Sequence, residues 1–152
     1  MPVTPVTVLA HISQLASPVM SFDADRVAEL LAGDSYAGSL GVEIVQVEPD
    51  EIVVALDVTE EHANFLGIGH GGMVFSLADC ALSLASNTQF ETAMAVDAHI
   101  ALTAPSRPGD RLTARIVEVS ASKRLATYRV DVSRGDGLTV AAFTGTVYIA
   151  TA

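Results

Sequence analysis

His70-Gly71-Gly72-Met73-Val74-Phe75-Ser76-Leu77-Ala78-Asp79-Cys80-Ala81-Leu82-Ser83-Leu84-Ala85-Ser86-Asn87 is the stretch that decides the architecture. From Met73 to Asn87 it has no Pro or Gly, and its apolar residues fall on nearly every side, as in a buried helix. Upstream, Asp23–Leu31 predicts one short helix, with Val27, Leu30 and Leu31 apolar, Ser21 or Asp23 as N-cap and Gly33 as stop. Gly38 and Gly41 predict a turn into a strand over Val42–Glu48. Pro49-Asp50 then turns the chain into a second strand on which Ile52, Val54, Leu56 and Val58 alternate with more polar neighbours. Residues 60–69 read as a loop.

After the helix come strand-like stretches at Ala93–Ala104, Arg111–Ala121, Leu125–Ser133 and Leu138–Ala150. Turns at Pro105–Gly109, Ser120–Lys123 and Arg134–Gly137 separate them. Hairpin-length connections predict that these last four strands are antiparallel neighbours in sequence order. A single apolar helix must be covered on most sides. The expected fold is therefore α+β, a curved antiparallel β-sheet wrapped around one long central helix.

The chain has 152 residues, half of them apolar, which suits one domain with a real core. Charged residues make up only 17%, a sparse cover that points to apolar surface shared between subunits. A net charge of −10 and the lack of Trp argue against a nucleic-acid partner. Of the eight basic residues only Arg26 precedes residue 107, so the late segment is locally positive and suited to a phosphorylated small ligand or to ordinary solvated strand edges. One cysteine, Cys80, rules out an internal disulfide and fits a reducing compartment. Residues 1–20, with Pro2, Pro5 and Pro18 and no basic start, read as a flexible tail rather than a signal peptide or membrane span. Residues 21–152 form the single domain, and a cytoplasmic location is expected.

Asp79 is the anomaly, a carboxylate in the middle of the most apolar helix with no Lys or Arg within two turns. Burial there costs several kcal/mol unless the group is paired, hydrogen-bonded or protonated. Alternatively it faces solvent or bonds Ser76 or Ser83. His70-Gly71-Gly72 opens the same helix, where unsatisfied N–H groups and the helix dipole favour an anion or developing oxyanion. Two glycines also let a backbone pass close to a ligand.

Gly71 and Asp79 lie eight residues apart, about 12 Å along a helix. An oxyanion donor and a base must each reach the same reacting carbon within about 3 Å. One copy of the helix cannot do this. Two copies packed antiparallel about a two-fold axis can, with Gly71 of one facing Asp79 of the other, and Ala78, Ala81, Ser83, Ala85 and Ser86 permitting close approach. Cooperation between these residues therefore requires a homodimer at least.

Asn64-Phe65-Leu66-Gly67-Ile68-Gly69-His70-Gly71-Gly72, followed by seven residues and Asp79, resembles the signature of PaaI-type hot-dog acyl-CoA thioesterases of phenylacetate degradation. The resemblance spans roughly residues 36 to 150 and implies a hot-dog fold. It implies that the Gly71 N–H polarises a thioester carbonyl while His70 shapes the turn. Asn64 would hold the attacking water or the thioester, and the partner's acid at position 79 would act as general base or nucleophile. Gly72 and Cys80 would stand beside the substrate, and Arg107, Lys123 and Arg124 are assigned to the CoA phosphates. Acyl-CoA is the expected substrate, aromatic such as phenylacetyl or medium-chain. No cofactor and no metal are expected, since His11, His62, His70 and His99 share no ligand spacing with a carboxylate. No nucleic acid or membrane partner is expected, and among larger assemblies the expected one is a homotetramer, a dimer of dimers.

Two departures from the family pattern are present. Cys80 stands where many relatives carry Thr, and Ala95 stands where some carry a water-orienting Ser, with Asp97, His99 or Thr103 as substitutes. As a nucleophile Cys80 lacks a base and reads as inert packing. A dehydratase would need a His converging with the acid, and the helix has none. A non-catalytic acyl-CoA-sensing module is the alternative function, although it would not need Asp79.

Overall fold

Asp34 does two jobs at once in the computed structural model, which describes residues 21–150. It ends the first helix, α1 (Ala24–Gly33), and caps the next, α2 (Ser35–Leu40). Its carboxylate accepts from the backbone N–H of Tyr36 at 3.1 Å and of Ala37 at 2.9 Å. The expected turn at Gly38 is thus helical, because a good N-cap outweighs one interior glycine. Gly41, at φ 73°, supplies the left-handed stop. α1 itself is capped by Asp23 and buries Val27. The expected tail, residues 1–20, lies outside the described residues, as does His11.

Strands β1 (Glu43–Glu48) and β2 (Glu51–Asp57) form the expected hairpin. A short 3-10 turn, Glu60–His62, interrupts the expected loop. The long helix, α3, spans Gly71–Gln89 and so includes both glycines. Then come β3 (Ala93–Leu102), β4 (Arg111–Ala121), β5 (Leu125–Arg134) and β6 (Thr139–Ile149). All pair antiparallel in the order β1-β2-β4-β5-β6-β3.

That order corrects one expectation. β3 and β4 are not neighbours; β3 pairs with β6 at the far edge, and β4 pairs with β2. The linking segment is not a hairpin but a strap across one end of the sheet. Thr103 N–H bonds Val140 C=O at 2.8 Å, Ser106 C=O accepts from Gly69 N–H at 2.7 Å, and Gly109 N–H bonds Val58 C=O at 2.8 Å. Each bond carries the chain further from β6 towards β2.

α3 packs across β2 to β6, with α1 and α2 against its other side. The inner face supplies Ile52, Val54 and Leu56, then Leu112, Ala114 and Ile116, then Tyr128, Val130 and Val132, all fully buried. Each buried aliphatic side chain of this size stabilises the fold by about 1.5–3 kcal/mol. β5 alternates as its sequence predicts. No helix among the described residues is long and apolar enough to cross a membrane.

Helix and sheet meet tightly at Gly145 on β6. A Cβ there would lie 2.6 Å from Leu82 Cδ2 and 2.9 Å from the Phe143 ring. Both neighbours are themselves locked in the core. Gly145→Ala should therefore cost about 1–3 kcal/mol by overpacking. Calorimetry should read a Tm drop of roughly 2–4 °C per kcal/mol. An unchanged Tm would mean that α3 rides freely on the sheet, contrary to this packing.

One face of α3 is not covered. Gly72, Ser76, Asp79, Ser83 and Asn87, spaced by three or four residues, form a small polar stripe that ranges from partly buried to exposed. The helix is apolar on most sides but not all, and Asp79 sits on the exception.

Candidate active site

The loop before α3 is built by its own polar groups. His62 C=O accepts from His70 N–H at 2.8 Å, and Thr59 N–H bonds His62 Nδ1 at 3.1 Å. Asn64 closes an Asx turn, its Oδ1 accepting from Leu66 N–H at 2.9 Å, while Gly67 at φ 72° reverses the chain. The amide donors of Asn64 have no protein acceptor among the described residues.

His70 is the N-cap of α3. Its Nδ1 accepts from Gly72 N–H at 2.8 Å, which in a neutral ring places the proton on Nε2. Met73 and Val74 N–H both turn back to His70 C=O, at 3.0 and 3.3 Å. Of the first four N–H groups of the helix, only that of Gly71 has no acceptor among the described residues. That bare donor stands at the positive end of a 19-residue helix. It borders a cavity of about 390 Å³ walled by Asn64, Ile68, Val74, Leu102, Thr103 and Pro105 among others. Asn64 and Gly71 are thus brought together, with His70 locking the turn between them.

Asp79 is elsewhere. It lies eight residues along α3, does not line this cavity, and is half-buried on the polar stripe. Among the described residues it makes no ion pair, and neither Ser76 nor Ser83 bonds it. Burial, and then the negative charge of Asp34, raise its carboxyl above the ordinary carboxylate value of 3.8. A carboxylate left unpaired and desolvated is a stronger base than one in water.

The remaining expected residues divide. Gly72 is exposed on the stripe. Cys80, 6% exposed, packs into the core rather than onto the open face. Burial, then the charges of Asp34 and Asp79, push its thiol up to about 12, so it is a poor nucleophile. Thr103 borders the cavity but spends its hydroxyl proton on Thr139 C=O at 3.0 Å. Ala95 sits at the β3 bulge, and Asp97 and His99 are exposed.

The basic cluster is mostly neutralised. Arg111 bonds Glu43 at 2.7 Å and Asp57 at 2.9 Å, Arg115 pairs with Glu51, Arg129 with Asp131 and Arg134 with Asp136. Among the described residues this leaves Arg107, Lys123 and Arg124 without a carboxylate partner, although Arg124 also bonds the Tyr148 hydroxyl. They do not form one patch within a chain. Arg107 precedes β4 and the other two follow it, so roughly 35 Å of strand separates them.

Two residues beside the polar stripe are absent from the sequence expectations. Asp34, whose charge reaches Asp79, caps α2, and Tyr36 lies on α2 with its Oη 2.8 Å from Ser76 Oγ, one turn from the acid. The signal for them was the Asp34-Ser-Tyr-Ala cap, masked by the two glycines that follow.

Residues 66–141 match the family model described as the thioesterase superfamily. A putative esterase of Deinococcus radiodurans is 43% identical over 114 residues, covering 74% of this chain and 77% of the relative. The acyl-coenzyme A thioesterase PaaI of Escherichia coli is 34% identical over 112 residues, 74% of this chain and 80% of PaaI. The solved structure of E. coli PaaI, from the phenylacetic acid degradation operon, aligns with a TM-score of 0.80 at 30% identity, covering 84% of this chain and 92% of that one. A wrapped central helix, a bare glycine N–H at its start and this degree of similarity agree: the chain belongs to the thioesterase superfamily, as a PaaI-like member with the hot-dog fold.

Proposed function

We propose that the protein hydrolyses an acyl-CoA thioester to free acid and CoA at two equivalent sites shared across a homodimer. The observation that carries this reading is the division of one chemistry along α3: a bare Gly71 N–H in a cavity, and an unpaired basic carboxylate on the open stripe. Neither does the reaction alone. The acyl-CoA substrate is taken from the similarity to E. coli PaaI.

In the dimer, Gly71 N–H and the dipole of α3 stabilise the carbonyl oxygen as it becomes an oxyanion. Asn64 donates its spare amide hydrogens to the thioester or the attacking water. Asp79 of the other copy takes a proton from that water as its oxygen bonds the carbonyl carbon. Collapse of the tetrahedral species breaks the C–S bond, and the CoA thiolate takes the proton. Direct attack by the carboxylate, giving a mixed anhydride that water then cleaves, uses the same placement.

The edge strand β3 supports the dimer. It is exposed along nearly its whole length, and Met94, Val96 and Leu102 are 55%, 61% and 53% exposed. An unpaired apolar strand edge beside a small-residue helix stripe invites a second copy. Arg107, Lys123 and Arg124 are the residues assigned to the CoA phosphates, and the dimer is what can bring the two ends of β4 to one ligand. A dimer of dimers builds on the same unit, and a cytoplasmic enzyme fits its single free thiol.

Wild-type protein assayed by free-thiol release against acetyl-, octanoyl-, benzoyl- and phenylacetyl-CoA should turn over the arylacetyl or medium-chain esters. Sedimentation should give a dimer or larger species. Release of thiol from none of these esters, or a monomer that is fully active, overturns the reading.

A further inference from the structure

We infer that Tyr36 is a specificity-determining residue: its ring is the wall against which the acyl group lies, and it selects acyl groups that carry an aromatic ring. The inference rests on the shared-site reading above and names its substrate class.

Ser76 Oγ lies 2.8 Å from Gly72 C=O and 2.8 Å from Tyr36 Oη. A serine has one hydroxyl hydrogen, and the carbonyl can only accept, so Tyr36 is the donor to Ser76. The phenol is thereby clamped at its tip to α3. Its backbone is clamped as well, because Asp34 caps both Tyr36 and Ala37 N–H. Despite being held at both ends, the side chain is 59% exposed and contributes little to the core, unlike Tyr128, which is fully buried. A fixed, open aromatic face fits a contact that this chain alone does not complete.

The tether fixes the phenol tip one helical turn from the acid. Ser76 and Asp79 are three residues apart on the helix, about 4.5 Å in rise and 60° in azimuth. The neighbouring stripe positions, Gly72 and Ser83, are small and leave room beside the acid. A thioester held between Asp79 and the other copy's glycine turn has two arms. The cavity wall beyond that turn runs from Thr103 to Ser106, and Arg107, with no carboxylate partner for its side chain among the described residues, follows next in sequence, which suits the arm that ends in phosphates. The acyl arm is left with the Asp79 side, one turn from the serine that tethers Tyr36.

Ring-on-ring contact adds roughly two- to tenfold in binding beyond area alone. The test compares wild type, Tyr36→Leu and Tyr36→Phe on phenylacetyl-CoA and octanoyl-CoA. Tyr36→Leu should raise KM for phenylacetyl-CoA about three- to tenfold with kcat little changed, and should leave octanoyl-CoA within about twofold. Tyr36→Phe keeps the ring but loses its tether, so it should retain most of the aryl preference. Because the ring is exposed, both variants should melt close to wild type. An active wild type whose aryl-to-alkyl ratio of kcat/KM is the same in Tyr36→Leu overturns the role of Tyr36 and leaves the thioesterase reading standing. Equal losses on both esters do the same, since they mark a merely structural contact. A wild type that cleaves neither ester overturns both.

Discussion

Asp79→Ala should lower kcat by at least two orders of magnitude while the protein stays folded and oligomeric. A positioned general base contributes typically 10²- to 10⁴-fold, and no second carboxylate shares the open stripe of α3. Substrate contacts at the cavity are untouched, so the loss belongs in kcat with KM little changed. Asp79→Asn is the sharper version, as it preserves shape and removes only the base. It should also be more stable than wild type at neutral pH. The carboxyl is raised in the folded protein, first by burial and then by Asp34, so the folded state disfavours the charged form. With a folded pKa above the unfolded value, the aspartic acid's favourable contribution is full below the unfolded pKa and is lost as pH rises through the folded one. Above the folded pKa the site therefore carries an unfavourable charge that Asn does not, and Tm should rise. That gain should vanish on acidification below the ordinary value of 3.8. Full turnover in either variant would remove Asp79 from the mechanism.

Residues that act through local pattern were legible before the structure, and residues that act through pairing were not. The unbroken Met73–Asn87 run and the alternation of Ala126, Tyr128, Val130 and Val132 each depend on a few neighbouring side chains, and both read correctly. The place of β3 depends on which of two partners its edge meets. That is decided by the strap bonds at Val140, Gly69 and Val58, which no local window contains. The pairing of the late basic run was hidden for the same reason. Asp57 stands opposite Arg111 only because β2 pairs with β4, and Glu51 reaches Arg115 through the same ladder. Asp79 is the intermediate case. Its spacing from Gly72, Ser76 and Ser83 was present in the sequence, yet the apolar bulk of the helix hid the stripe. α2, and with it Tyr36, was lost because Gly38 and Gly41 look like breaks until the Asp34 cap is seen.

A heterodimer carrying Asp79→Ala in one copy and Gly71→Pro in the other should recover activity that neither parent has. Proline at position 71 is a clean deletion of the donor. Gly71 is the first residue of α3, the helical position where Pro is best tolerated, since its N–H is not part of the ladder. His70, at φ −63° and ψ 133°, already has the extended backbone that a following proline demands. The nearest obstacle to a side chain there is Leu102 Cδ1, 2.7 Å from a built Cβ, and that is the movable tip of an exposed residue. Folding should survive, while loss of one oxyanion donor costs about 10²- to 10³-fold in kcat. In the mixed dimer one site combines the intact Gly71 of the Asp79→Ala copy with the intact Asp79 of the Gly71→Pro copy. The other site lacks both groups. Heterodimers isolated through two different affinity tags should then show about half of wild-type turnover per dimer, and a random equal mixture about a quarter. If both groups served a site within one chain, every site in the mixture would lack one of them and activity would stay at the parental floor. That floor, measured in verified heterodimers, would dismantle the shared site and every role assigned through it.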